Sequence, residues 1–465
     1  MHELNRKSAL ELLQLIESRQ ISPVDVVAAS IARQEEVEGF INAFVCMTPE
    51  LALAAAARSE NALFHGERTP LNGIPVSVKD LIDVAGLETT FGSRTMVGNF
   101  AAADAPSVEK IKTAGASIVG KTTTTEFGCK AGGGDSPLTG ITRNPWDLSK
   151  STGGSSAGAA ASVAAGVTPL AIGTDGGGSL RIPASLCGLV GVKAHFGRVP
   201  VYPASATPTL AHVGAIARTV RDAALLLGVM SGYDCRDPAT ILDHEVNFGS
   251  ACDLGVVGLK VAWSPTLGYA RPSTEVLDVT EKAVKRLEYE GVSVDLLDSV
   301  FPEDPIELWE AEFYAGVGYK LKTHLKEAAG LLDPAVAEML NRGLHSQTVE
   351  QYMGKVFARI DLRERFRRTM EPYDILLTPT LPVSELQAGA NLPRGYDDRS
   401  IVSWSYYTYP FNLTGNPALS IPCGKSSTGM PVGLQMVAKA HREVDIFRLA
   451  ARIEELQPWS LLAPL

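Results

Sequence analysis

Disulfide and metal chemistry have little to work with in this chain. Its six cysteines, Cys46, Cys129, Cys187, Cys235, Cys252 and Cys423, lie far apart without a C-x-x-C pair, and its eight histidines show no metal-ligand spacing. Reduced thiols are expected, with no metal. Positive charge is also scarce: 42 Lys and Arg against 52 Asp and Glu leave a formal net charge of −10. Such a surface repels phosphodiesters, and no basic run offers a phosphate-binding stripe, so a direct nucleic-acid partner is not expected. Long hydrophobic runs are missing as well. The stretch from Ala157 to Ile172 is mostly Ala and Val, is interrupted by Gly158, Gly166 and Pro169, and is too short to cross a bilayer comfortably. It reads as a buried helix followed by a strand, and no membrane contact is expected. The start, Met1-His2-Glu3-Leu4, lacks the basic and then apolar pattern of a secretory leader, which predicts a cytoplasmic protein.

What is present describes a large α/β protein. Of 465 residues, 45% are hydrophobic and 20% charged, and the 43 glycines and 28 prolines fall between structured segments, so a sizeable core is expected and disorder is not. The first 60 residues read as outer helices: Ala9, Leu12, Leu13 and Ile16 recur at helical intervals, and Ser22-Pro23-Val24-Asp25 opens a second amphipathic stretch. From Gly73 short apolar runs alternate with helices, at Ile74 to Val78, Ala116 to Val119, Thr168 to Ile172, Leu189 to Val192 and Leu259 to Ala262. A helical face through Val276, Val279, Ala283 and Leu287 leads into a strand at Val292 to Val294. The chain then turns mainly helical over 305–370 and returns to strands at Asp374 to Leu377, Ala418 to Ile421 and Val432 to Val437. The alternation predicts a sheet covered on both faces. With no repeat and no linker, residues 1–465 are read as one domain.

Three segments carry chemistry. Gly173-Thr174-Asp175-Gly176-Gly177-Gly178-Ser179-Leu180-Arg181 sets a serine at the end of bare backbone N–H groups, the combination an acyl-transfer site needs as nucleophile and oxyanion donors. Alone, such a run is also an ordinary loop. Ser151-Thr152-Gly153-Gly154-Ser155-Ser156-Ala157-Gly158 is a glycine turn with paired hydroxyls entering an Ala-rich helix, which also describes a simple helix cap. In Gly73-Ile74-Pro75-Val76-Ser77-Val78-Lys79-Asp80 a lysine ends an apolar strand, where a surface position is the ordinary expectation. A fourth segment misleads. Gly115-Ala116-Ser117-Ile118-Val119-Gly120-Lys121-Thr122 fits the phosphate-loop pattern, yet a helical stretch precedes it and its middle reads as the strand itself, so nucleotide binding is not expected there.

Taken in order, these segments resemble the amidase signature family. Leu71 through Asp80, Gly120-Lys121-Thr122 with Glu126-Phe127-Gly128, Thr142-Arg143-Asn144-Pro145-Trp146-Asp147, Gly153 through Gly158, Gly173 through Ala184 with Cys187-Gly188, Gly191-Val192-Lys193, Gly197-Arg198-Val199 and Tyr409 through Pro417 all match, over most of the chain. The resemblance implies a single large domain with a mixed, twisted central sheet, its signature core in residues 70–200 and a substrate-side helical region at 305–370. It also implies a Ser-cis-Ser-Lys triad without cofactor: Ser179 as nucleophile, Ser155 as bridging serine and Lys79 as base, with the N–H groups of Gly176, Gly177, Gly178 and Ser179 as oxyanion hole. Burial among apolar strand neighbours would lower the lysine's pKa as that role requires. Cys129 matches a position lining the acyl side of the cleft, where Ser155 also contacts substrate, and a buried small side chain is the other reading of Cys129. Asp175 and Arg181 are read as pinning the loop.

Three positions depart from the family pattern. Thr123 stands where asparagine is frequent, Ala194 where proline commonly follows the lysine, and Gly176 where a larger residue is usual, which predicts a looser oxyanion loop. The family includes aliphatic and aryl amidases, hydrolases of lipid amides, carbamates and ureas, and the amidase component of glutamyl-tRNA amidotransferase. The expected partner is a small amide substrate, with a homodimer left open. The segment Trp404, Tyr406, Tyr407, Tyr409, Phe411 is read either as the wall of an aryl pocket or as core. A catalytically silent scaffold and an ammonia-supplying amidotransferase component remain the alternatives to a free-standing amidohydrolase.

Overall fold

The short apolar runs form strands because their branched side chains pack well on a pleated surface that helices cover. The computed structural model describes residues 3–242 and 247–465; Met1 and His2, where the reading of an absent leader begins, lie outside them. Eleven strands make one mixed sheet in the spatial order Phe44–Met47, Ser117–Thr122, Pro75–Lys79, Leu170–Asp175, His212–Ala217, Val190–Lys193, Ala418–Lys425, Pro431–Ala438, Ile375–Pro379, Lys260–Trp263, Ser293–Leu296. Pro75–Lys79 runs parallel to both its neighbours. The middle of the sheet, from His212–Ala217 to Pro431–Ala438, is antiparallel. One irregularity sits beside the site. Val76 lies opposite Ile118 but Ser77 lies opposite Gly120, so Val119 is an extra residue bulged from its strand.

Strand alternation divides the core between the two faces. Val76, Val78, Leu170 and Ile172 join an apolar cluster beneath helices Ala9–Glu17, Pro106–Thr113, Val220–Met230, Thr274–Tyr289 and Glu443–Leu456. Ala171 points the other way, toward helices Ala157–Ala164 and Arg181–Cys187. A further cluster gathers Ile306–Lys320, Pro334–His345 and Val349–Thr369 around the aromatic segment, in which Trp404, Tyr406, Tyr407, Tyr409 and Phe411 are all buried. The core reading of those five rings is the one their packing supports.

The strands expected from the sequence appear within a few residues of their expected bounds, but two others of the eleven do not announce themselves. Phe44–Met47 is a four-residue edge strand inside a region otherwise helical, so the first 60 residues are not purely an outer helical layer. His212–Ala217 has only two β-branched residues, Val213 and Ile216, set among His, Gly and Ala, so no apolar run of the kind that marks the other strands announces it. The phosphate-loop pattern resolves into strand Ser117–Thr122, with Lys121 fully buried and paired to Asp80 at 2.9 Å, so no loop is left there to cradle a phosphate.

Candidate active site

Lys79 closes its strand with its side chain turned into the protein, contrary to the surface position usual for a strand lysine. It is fully buried, and Nζ donates to Ser155 Oγ at 2.7 Å and to Thr174 Oγ1 at 2.8 Å. Burial pushes its pKa well below the ordinary lysine value, while the charge of Asp175 pulls weakly the other way. Both contacts are hydroxyls, so no carboxylate in contact holds the proton on.

Ser155 follows a cis peptide bond from Gly154. Its neighbour Ser156 does not cap the helix that begins at Ala157; its hydroxyl donates instead to the Thr174 carbonyl at 3.2 Å, and its N–H donates to the Ser179 carbonyl at 3.3 Å. These bonds tie the glycine turn to the strand end and to the second serine. Ser179 is 9% exposed and, with Ser155, Thr174 and Gly176, lines a cavity of about 460 Å³. Among the described residues no protein group is hydrogen-bonded to its hydroxyl, so the Lys79–Ser155 contact is formed and the Ser155–Ser179 contact is not.

The loop before Ser179 is held through its carbonyls and the Asp175 carboxylate. Arg181 donates through Nε and Nη2 to the two Asp175 carboxylate oxygens at 3.0 and 2.9 Å, and its remaining donors reach Thr408 O at 2.9 Å, Gln435 Oε1 at 2.7 Å and Asn412 Oδ1 at 2.7 Å. Burial disfavours the Asp175 carboxylate, but the Arg181 charge and its hydrogen bonds overcome that and hold the group below the usual carboxylate range. The pinning role expected of Asp175 and Arg181 is what these contacts perform. One expected oxyanion donor is already engaged: Gly178 N–H donates to Asp175 Oδ1 at 2.7 Å. The N–H groups of Gly176, Gly177 and Ser179 meet no protein acceptor among the described residues.

Cys129 lies behind the cavity wall, not on it. It is fully buried, its Sγ faces the Phe127 carbonyl at 3.6 Å, and burial pushes its thiol well above the ordinary value. The residues that reach the cavity at this point are Phe127 and Gly128, so the buried small side chain is the reading its surroundings fit. Phe91 and Phe313, with Leu81, Val317 and Leu321, supply the apolar lining instead of the aromatic segment 404–411. Thr174, Trp309, Thr408, Asn412 and Gln435 are site residues that sequence reasoning does not single out. Thr174 and Asn412 sit inside matched segments, but a long-range contact such as Trp309 Nε1 to the Gly176 carbonyl at 2.7 Å leaves no local trace. Among the described residues no His, Cys, Asp and Glu side chains group in a way that could hold a metal, and no helix is long and apolar enough to cross a membrane.

The fold as a whole matches those of enzymes that hydrolyse amides. A solved bacterial aryl acylamidase of the amidase signature enzymes superimposes with a TM-score of 0.91 at 29% identity, covering 99% of this chain and 98% of that one. A solved 6-aminohexanoate cyclic dimer hydrolase gives 0.91 at 28% identity, covering 100% and 99%. The family follows from the sequence: residues 25–447 match the Amidase family, and the chain belongs to it. An acylamidase of Rhodococcus erythropolis is 36% identical over 460 residues, 97% of this chain and 96% of that protein. One component of the glutamyl-tRNA(Gln) amidotransferase of Thermodesulfovibrio yellowstonii is 32% identical over 488 residues, covering 100% of both. The protein is a hydrolase acting on carbon–nitrogen bonds of amides.

Proposed function

We propose a free-standing amidohydrolase that cleaves a small aliphatic, aryl or anilide amide, or a carbamate, through an acyl-enzyme on Ser179. The observation that carries this reading is the 2.7 Å contact of a fully buried lysine with Ser155, beside a second serine open to the same cavity. Neutral Lys79 accepts the proton of Ser155 as Ser155 takes that of Ser179, and Ser179 Oγ adds to the amide carbon. The Ser155–Ser179 hydrogen bond forms as substrate arrives, in keeping with catalytic contacts that tighten only in the loaded site. Gly176, Gly177 and Ser179 offer the unengaged N–H groups for the oxyanion. Lys79 then returns its proton through Ser155 to the leaving nitrogen, the C–N bond breaks, and the amine departs. Water, deprotonated by the same relay, attacks the ester carbon and releases the acid with Ser179 restored.

The apolar lining from Leu81, Phe91, Phe127 and Phe313 supports an apolar or aryl acyl group over a glutamine side chain. The full-length similarity to an amidotransferase component supports an ammonia-supplying role as the second reading. Purified protein without any partner is assayed on amides, anilides, esters and carbamates, and labelled with a fluorophosphonate read by intact mass. Turnover, with labelling abolished in Ser179→Ala, is expected. Glutaminase activity that appears only with a partner protein would favour the second reading, and an unlabelled wild type would overturn the serine mechanism.

A further inference from the structure

Gly176 leaves the oxyanion loop without a side chain where the sequence predicts looseness, yet the space is filled from another part of the chain. Helix Ile306–Lys320 brings Trp309 and Phe313 over the loop, their rings stacked at 4.4 Å between centroids. A Cβ on Gly176 would stand 3.0 Å from Phe313 Cε2, and one on Gly177 would stand 2.7 Å from Trp309 Cζ2. A side chain at Gly177 would force the indole to shift, and one at Gly176 would press on the Phe313 ring. Trp309 is 2% exposed, and its one polar atom donates to the Gly176 carbonyl at 2.7 Å.

That bond fixes a peptide plane. The Gly176 carbonyl and the Gly177 N–H belong to one planar trans unit and point in opposite directions. Holding the carbonyl toward the indole holds the N–H on the side away from it, where it meets no protein acceptor. The planes on either side are held in the same way: the Asp175 carbonyl by Asn412 Nδ2 at 3.0 Å, and the Gly177 carbonyl by Thr408 Oγ1 at 2.6 Å. We propose that Trp309 is a positioning residue for the reaction, its indole N–H orienting the Gly177 N–H for the developing oxyanion while Phe313 takes the room that Gly176 vacates. The inference rests on the acyl-enzyme reading of Ser179. It makes an otherwise ordinary core tryptophan part of transition-state stabilisation, and it predicts that the two effects of Trp309, filling space and donating one hydrogen bond, separate in experiment.

The test replaces Trp309 by Phe, which keeps an aromatic ring and removes the donor, and by β-(3-benzothienyl)alanine, which keeps the bicyclic shape and removes only the N–H. For each variant that melts cooperatively near the wild-type midpoint, kcat and KM are measured on an anilide together with the inhibition constant of a trifluoromethyl ketone that mimics the tetrahedral adduct. Expected is a fall in kcat of about tenfold or more, smaller than the loss on deleting an oxyanion donor outright. KM should change less than about twofold, and the ketone should weaken in parallel with kcat. Wild-type kcat and ketone affinity in the benzothienyl variant would overturn the proposal even if the Phe variant does not fold. Ser179→Ala, run alongside, keeps the two failures apart: retained turnover there refutes the serine mechanism, whereas its loss with unaltered Trp309 variants refutes only the positioning role.

Discussion

Lys79 shows what burial does to an ordinary base. A solvated lysine at neutral pH is almost wholly protonated and cannot accept from a serine. Here desolvation disfavours the charged form and the two contacts are hydroxyls, so the group loses its proton at a lower pH. Activity is therefore expected to rise with pH through the lowered lysine value and to flatten above it. In Lys79→Ala, kcat should fall by about 10²–10⁴, and that rising limb of kcat/KM should vanish; an unchanged profile would remove Lys79 from the base role. Both serines and this lysine are named from the sequence because each sits in a matched segment, and the contact of Lys79 with Ser155 is the part of that reading the structure contains. Cys129 is legible as a position but not as a contact, since a residue's place in a motif does not say whether its side chain reaches the cavity or backs the residue that does.

At the scale of elements, the loop before Ser179 is shaped by partners from three distant stretches: Trp309 from a helix, Thr408 and Asn412 from the segment 404–412, and Gln435 from a strand. Arg181 joins most of them to Asp175. Removing one side of a buried ion pair leaves the other charged and desolvated, a loss of about 3–5 kcal/mol. Arg181→Met is expected to lower the urea midpoint by a corresponding amount, read by circular dichroism, and an effect below about 1 kcal/mol would mean that the pair contributes no more than a surface one. None of this network could be read from local pattern. The sequence announces a strand by its apolar run and a turn by its glycines, whereas a contact spanning more than two hundred residues, such as Arg181 to Asn412 or Gln435, is fixed only when the sheet has formed.

For the whole molecule, the sheet and its two helical layers follow from alternation and spacing. The missed strands of that sheet, Phe44–Met47 and His212–Ala217, are those where edge length or a run of Gly and Ala leaves too weak an apolar signal. The pH dependence of the entire fold has a visible contributor far from the site. Glu454, on helix Glu443–Leu456, accepts from Val220 N–H at 3.1 Å, at the start of another helix. Burial outweighs that favourable bond and pushes its carboxyl from 4.5 up to about 7. Between those values the folded state keeps a proton that the unfolded chain releases, so stability from this group is greatest below 4.5 and falls as pH rises toward 7. The loss amounts to about 3 kcal/mol once both states are ionised. Glu454→Gln keeps an acceptor for Val220 and carries no charge; its melting temperature should match the wild type near pH 4 and exceed it at pH 8. Equal melting curves at pH 8 would dismiss the penalty.

The bulge at Val119 has an electrical meaning. Because it advances the register by one residue, Lys121 lies across from Val78 and Thr122 from Lys79. Facing residues on paired strands share a side of the sheet, so the two lysines are sorted to opposite sides, one against the Asp80 carboxylate and the other against the serine hydroxyl. An unbroken ladder continuing from Ser117 opposite Pro75 would seat Lys121 directly across from Lys79. Two ammonium groups would then compete for one buried compartment. A single extra residue thus acts as an insulator between a structural cation and the amine assigned the chemistry.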